Sequence, residues 1–379
     1  MKICYFGTYE ENYSRNQIMI KALKAAKIDV VECHISLWRG KRDKSNALKG
    51  ISNKLKLSLH LLTIYPRLIL KYIFMESHHI IFVGYFGHLD MFIAKLLTVF
   101  NKKPIIFDAF ISLYDSIVKD RKMVREGSLL SKLSFMLDKY SCNLADIVIL
   151  DTQQHINYFI KEFKLPENKF RRVFACADDS VFRPIKKEKQ QNGSFNVLFY
   201  GKFTPLHGIE YIIDAAELLK QDNKIKFTVI GKGQVYEEIL RKILNKKLDN
   251  IEMIPWVEYA ELPEYINRSD VCLGIFNDSE KALRVIPNKV FQTLAMGKPV
   301  VTADSLAVRE LLKDGENAIL CPPADGKSLA MVLQGLKKDE NLRRNIGNNG
   351  YRIFQERCTM NVVGNEISSI VKETIKNNS

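Results

Sequence analysis

The sequence has no C-x-x-C pair, no histidine pattern with metal-ligand spacing, no low-complexity tract and no fixed-period repeat. Each absence removes a class of protein. Cys4, Cys33, Cys142, Cys176, Cys272, Cys321 and Cys358 are scattered, which excludes a zinc ribbon and a disulfide scaffold and marks them as reduced core residues. No metal or other cofactor is expected. Clean apolar runs are also missing. The best candidate for a membrane span, LSLHLLTIYPRLILKYIF, is interrupted by His60, Pro66, Arg67 and Lys71, too often to cross a bilayer. The first apolar run stops at a turn at Gly7, which is too short for a signal peptide, so a cytoplasmic location is expected.

What is present is the composition of a globular chain. With 379 residues, 46% apolar and 26% charged, it is long enough for two domains with separate cores. A formal charge of +14 raises nucleic acid as a partner, but no recognition helix or aromatic platform accompanies it, so no nucleic-acid partner is expected. The charge is concentrated instead. From Arg39 to Lys71 nine Lys and Arg residues face one acid, Asp43, and they alternate with Leu, Ile and Tyr. Residues 39–75 therefore read either as a helix resting on an anionic membrane face or as one packed on its own domain with a solvated basic side.

Short runs rich in Val, Ile and Phe alternate with longer amphipathic stretches, the pattern of parallel sheets covered by helices. Six such runs lie at 2–7, 29–35, 79–85, 104–110, 146–151 and 170–175, and six more at 195–201, 226–231, 251–256, 271–276, 299–304 and 318–323. Between the two sets lies RPIKKEKQQNGSF (183–195), polar and basic with Pro184 and Gly193, which reads as a linker. The expectation is an N-terminal Rossmann-like domain over 1–185 and a C-terminal one over 194–354. The last helix, within about 355–379, would pack back on the first domain.

Ligands of open αβ sheets bind at strand carboxyl ends, where helix N-termini aim N–H groups at anions. The turn FYGKFTPLHGIEYII has Gly201, Lys202, His207 and Gly208 ahead of a helix, a candidate diphosphate clamp or an ordinary loop. VIGKG places Gly231 and Gly233 in the next turn but lacks the third glycine of a dinucleotide fingerprint. In VCLGIFNDSEKALRVIPNKVFQTLAMGKPVV, Pro287 suits a first helical position and Gly297 a helix end. Asn288 and Gln292 share a face, and Arg284 and Lys289 bring positive charge to the same end. Core packing accounts for Val290, Phe291, Leu294 and Met296 but not for those polar residues.

With LADIVILDT, ACADDSVFRP, YGKFTPLHGIEYIIDAAELL, VIGKG, ELPEYINRSDVCLGIF and PNKVFQTLAMGKPVV in this order, the chain resembles glycosyltransferases of the GT-B fold, specifically the retaining family 4. The resemblance covers nearly the whole chain and is strongest over 140–323. It implies an α/β fold of two Rossmann-like domains facing across a cleft. The implied activity is a metal-independent, retaining hexosyltransferase with a nucleotide-sugar donor and a glycan or lipid-linked acceptor, as a cytoplasmic protein peripheral to the inner membrane face. In that family a basic pair holds the donor diphosphate; its places fall on Lys202 and His207. Two glutamates seven positions apart contact sugar and ribose; their places hold Arg284 and Gln292. Gln292 can still hydrogen-bond a ribose diol, whereas Arg284 cannot accept a bond and is expected to pair with the diphosphate. Glu280 is a substitute acceptor for a sugar hydroxyl, and Trp256 and Val257 fall where the backbone meets the nucleobase. Lys202 and His207 are catalytic candidates through the charge of the departing diphosphate, and on the acceptor side Asp108 is either a catalytic residue or a structural cap, with Tyr9, Arg15, Ser112, Tyr114 and His88 lining the same edge. A sugar-nucleotide-binding subunit without catalysis and a GT-B epimerase are the alternatives.

Overall fold

The computed structural model describes residues 1–37, 51–185 and 193–378, with 51–58 described by backbone alone. The basic stretch beginning at Arg39 lies largely outside the described residues, as does the middle of the linker.

Among the described residues, twelve strands form two six-stranded parallel sheets. The first sheet has the order β2-β1-β3-β4-β5-β6, built from β1 (Lys2–Gly7), β2 (Asp29–His34), β3 (Ile80–Val83), β4 (Ile105–Phe110), β5 (Ile147–Leu150) and β6 (Phe170–Arg172). The second has the order β12-β11-β10-β7-β8-β9, from β7 (Phe195–Tyr200), β8 (Ile225–Ile230), β9 (Ile251–Ile254), β10 (Val271–Leu273), β11 (Val300–Ala303) and β12 (Ile319–Cys321). Every strand falls within one of the twelve expected runs or starts a residue before it.

Parallel strands buried on both faces need apolar side chains at successive positions, and β3 and β4 are buried throughout. Alternation then sorts them. Cys4, Phe6, Ile81, Val83, Ile105, Phe107, Val148 and Leu150 face the layer that carries α2 (Ile51–Ile73), α3 (Asp90–Thr98), α4 (Leu129–Leu144) and α5 (Gln153–Phe163). Ile3, Tyr5, Ile80, Phe82, Ile106 and Ile149 face α1 (Ser14–Ala25) and the C-terminal α12 (Met360–Asn378). The chain end thus returns to the first sheet, with Val363, Ile367 and Val371 against Met19, Ala22 and Leu23. A Cβ at Gly364 would overlap the Ala22 carbonyl, so glycine permits this close helix contact.

The second sheet is covered by α6 (Ile209–Leu218), α7 (Tyr236–Lys246) and α10 (Gly326–Lys338) on one side. On the other lie α8 (Leu262–Arg268), α9 (Asn288–Ala295) and α11 (Glu340–Arg357). That second cluster crosses the junction, because Phe110, Phe174 and Phe182 from the first half pack with Ile286, Phe291 and Leu294. Burying a side chain of this size contributes roughly 1.5 to 3 kcal/mol, so the seam between the halves is part of the core.

Candidate functional site

Three strand-end turns of the second sheet are locked into one rim. Gly201 (φ +148), Gly208 (φ +62) and Gly231 (φ +141) adopt backbone conformations that side chains disfavour. Added Cβ atoms at Gly231, Gly233 and Gly208 would overlap the backbone of Gly201, Phe203 and Asn277 respectively. The close approach allows cross-turn bonds: Gly201 N–H to the Ile230 carbonyl (2.9 Å), Phe203 N–H to Lys232 (3.1 Å), Val235 N–H to Phe203 (3.1 Å) and Phe276 N–H to His207 (3.0 Å). The G-x-G pair therefore has a packing reason independent of any ligand.

Into this rim projects Lys289 from the first turn of α9. Its side chain is buried, with Nζ 3.9 Å from the centre of the Phe199 ring and no hydrogen-bond partner for that Nζ. A Cβ on Gly201 would meet Lys289 Nζ at 3.1 Å and His207 Cε1 at 3.3 Å, so the three converge. Burial alone pushes the Lys289 pKa well below the usual lysine value. A desolvated ammonium without a partner is costly, and an anion beside it would relieve that cost.

His207 departs from the expected cationic clamp. Its Nδ1 faces the Lys202 carbonyl, which fixes the donor on Nδ1 and leaves Nε2 with the lone pair in the neutral ring. Burial first, then nearby Lys289, pushes its pKa well below the usual histidine value, so it is neutral at pH 7. Lys202 itself has an exposed side chain. The buried amine of the rim is Lys289, and an anion beside it would favour its charged form.

Arg284 is also relocated. Instead of facing a diphosphate, its guanidinium bonds Asp115 Oδ1 of the first half (3.0 Å) and Glu280 Oε2 (3.1 Å), and it stacks 3.9 Å over the Tyr158 ring. Its carbonyl accepts from the Thr152 hydroxyl. Lys281 reaches the same π-helical turn, Asp115–Asp120, bonding Ser116 Oγ (2.8 Å) and Asp120 Oδ2 (3.3 Å). Glu310 completes the bridge by accepting the N–H groups of Gln153 (2.8 Å) and Gln154 (3.0 Å), where the positive end of α5 favours a carboxylate. Asp115 stood out in its turn but not as a partner of Arg284, and Lys281 and Glu310 were not anticipated, since partners 156 to 169 residues apart leave no local pattern.

The other expected donor contacts are dispersed around the rim. Pro287 caps α9 rather than opening it, with φ −72 and ψ 149. Asn288 donates to Ser14 Oγ across the junction (3.3 Å), and Gln292, one turn on, is buried beside the Tyr259 hydroxyl. Trp256 is 67% exposed, with its indole N–H on Glu258, while Val257 packs against the junction core. The Glu280 Oε2 accepts from Arg284, while the side chain as a whole is 84% exposed.

The acceptor-side expectations change most. Asp108 is fully buried, and both its oxygens are bonded by Arg15 at 2.9 Å. A base needs an accessible lone pair, so this pair ties α1 to the end of β4 instead. Tyr9 is buried with its hydroxyl on Glu32 Oε2 (2.9 Å). The Ser112 hydroxyl donates to Asp138 Oδ2 (2.7 Å), whose carboxylate also accepts the N–H groups of Leu113 and Tyr114 and lies 2.8 Å from His88 Nε2. The Tyr114 hydroxyl bonds Glu126 (3.3 Å). These side chains brace turns; among them, the buried Nδ1 of His88 is left without a partner.

Residues 182–353 match the model of the glycosyl transferases group 1 family. An uncharacterised glycosyltransferase of Methanocaldococcus jannaschii is 26% identical over 230 residues, 59% of this chain and 60% of the relative. Among solved structures, sucrose-phosphate synthase from Thermosynechococcus elongatus superposes with a TM-score of 0.76 at 16% identity, covering 99% of both chains. HepE from Anabaena, solved with UDP-glucose, gives 0.71 at 14% identity, covering 98% of this chain and all of HepE. The chain has the GT-B fold, and the match to the glycosyl transferases group 1 model lies in its second half.

Proposed function

We propose that the chain is a retaining hexosyltransferase of family 4, moving a sugar from a nucleoside-diphosphate donor to a glycan or lipid-linked acceptor. The observation that carries this reading is the unpartnered, buried Lys289 amine beside Gly201 and His207, at the start of a helix within the stretch that matches the group 1 model. A diphosphate fits there because it supplies the charge that Lys289 lacks and accepts further N–H bonds from the helix start. That HepE, with the same fold, was solved with UDP-glucose supports this donor class.

As the anomeric C–O bond breaks, negative charge grows on the departing diphosphate, and Lys289 is fixed in advance to meet it. The acceptor oxygen forms the new bond on the face the leaving group vacates. With Asp108 engaged by Arg15, the acceptor proton passes to the departing phosphate oxygen rather than to a side-chain base. Lys289 and the N–H groups at the start of α9 supply the charge stabilisation, and transfer is expected to persist in a chelator.

The test is a thermal-shift screen with UDP, GDP, ADP and dTDP and their sugars, followed by donor turnover with mixed acceptors. One nucleotide is expected to raise Tm, since a ligand of the folded state stabilises by mass action, and Lys289→Ala is expected to remove the shift. A full shift in the variant would overturn the site. A second reading, a nucleotide-sugar-binding subunit without transfer, is favoured by one observation: Arg284 and Gln292 stand where the family has carboxylates. Binding without turnover across acceptors would establish it.

A further inference from the structure

The helix α4 is built inside out. Ser131, Ser134, Asp138 and Ser141 occupy its buried face, while Leu129 (82% exposed), Leu130, Leu133, Met136 and Tyr140 point outward. The same layer continues the apolar surface. On α3 and its ends, Leu89, Phe92, Leu96 and Phe100 (95% exposed) follow a spacing of three and four residues, with Val99 exposed beside them. On the described part of α2 and just beyond, Leu59, Leu62, Leu70, Ile73 and Phe74 are exposed as well. Among the described residues, seventeen of the twenty-five exposed large apolar side chains fall between Leu59 and Tyr140. Because α2, α3 and α4 are neighbours on one side of the first sheet, their outer faces make one surface. Water would disfavour a patch of this extent on a free surface, so an occupant is implied.

Charge identifies the occupant. Arg67, Lys71, Lys95 and Lys132 are exposed among these apolar residues, and Lys102 lies just past α3. The only acids within α3 and α4, Asp90 and Asp138, are buried, and the sequence of α2 contains none. A second copy would set this positive face against itself, which like-charge repulsion opposes. Among the described residues no helix is long and apolar enough to cross a membrane. We infer that the outer face of the α2–α3–α4 layer docks on an anionic lipid surface, inserting its apolar side chains at headgroup depth while Lys and Arg meet the lipid phosphates. This rests on exposure and charge in the N-terminal domain and is independent of the donor site.

The test is co-sedimentation of the full chain with vesicles of phosphatidylcholine alone and with about 30% phosphatidylglycerol. Binding is expected on the anionic vesicles and weak or absent on the neutral ones. The triple variant Leu129→Ser, Leu133→Ser, Met136→Ser is expected to bind at least about tenfold more weakly, because it withdraws apolar side chains from the lipid, with Tm unchanged or higher. Should the triple variant not fold, Lys95→Glu with Lys132→Glu, both outside the core, is expected to abolish the preference for anionic vesicles. Wild-type affinity in the variants, or no vesicle binding by the wild type, overturns the inference. So does a sedimentation experiment in which the wild type dimerises and the triple variant is monomeric, since that assigns the face to a second copy.

Discussion

On the N-terminal rim, Asp108, Arg15, Tyr9, Ser112 and Tyr114 each spend their polar atoms on neighbours of their own domain, whereas on the C-terminal rim Lys289 is buried with its Nζ bonded to nothing. Both rims lie at strand carboxyl ends and both are rich in polar residues. Position at a strand end therefore does not distinguish a ligand contact from a brace. What distinguishes them is whether the fold itself satisfies the group, since an unsatisfied buried charge persists only if something outside the chain compensates it.

The strongest way to break that comparison is to remove one member of the satisfied pair. Asp108→Ala leaves Arg15 buried without its carboxylate and is expected to cost about 3 to 5 kcal/mol in urea unfolding. Lost transfer with unchanged stability would return Asp108 to acceptor chemistry.

The converse holds for Lys289. Lys289→Met keeps the volume, deletes the unsatisfied charge, and is expected to stabilise the ligand-free chain by roughly 1 to 3 kcal/mol while removing the response to nucleotide. The sign with pH follows from its depressed pKa. Between that depressed value and the unfolded value near 10.4 the unfolded chain holds more protons, so wild-type stability rises with pH there and falls as pH drops through it. The variant is expected to flatten that slope in denaturant melts taken across the alkaline range.

Between the rims, the Arg284–Asp115 pair is 12% and 1% exposed and joins the two halves through one bond, leaving Arg284 Nε and Asp115 Oδ2 without partners. A double-mutant cycle of Arg284→Ala and Asp115→Ala is expected to give a coupling of about 0.5 to 3 kcal/mol, little changed by salt. Zero coupling would make the bridge incidental to domain closure.

The smallest expected effect concerns protons. A diphosphate beside His207 and Lys289 raises both depressed pKa values, so binding takes up protons and tightens as pH falls, by no more than about tenfold per unit for each proton. Calorimetry in two buffers of different ionisation enthalpy measures the uptake, and proton release on binding would reverse the assignment.

The fold was legible because its signals are local. Twelve apolar runs located twelve strands, Gly297 (φ +65) lies just past the end of α9, and Gly208 supplies the positive φ ahead of α6. Pro287 was one position off because a proline suits both a cap and a first turn. The site was less legible for a physical reason. Lys289 was visible as a cation, but its burial depends on Phe199, ninety positions earlier. The Arg15 and Asp108 pair spans 93 residues, and no spacing rule carries that distance. On α4, SLLSKLSFMLDKYS shows two stripes of equal period, and only packing reveals that the serine stripe is the inner one.

The central claim is tested most directly by a crystal of the full chain soaked with the nucleoside diphosphate that gives the largest thermal shift. The account predicts a phosphate oxygen within roughly 3 Å of Lys289 Nζ, above the Gly201 turn and the start of α9. A diphosphate bound elsewhere, with Lys289 still unpartnered beneath Phe199, would contradict it.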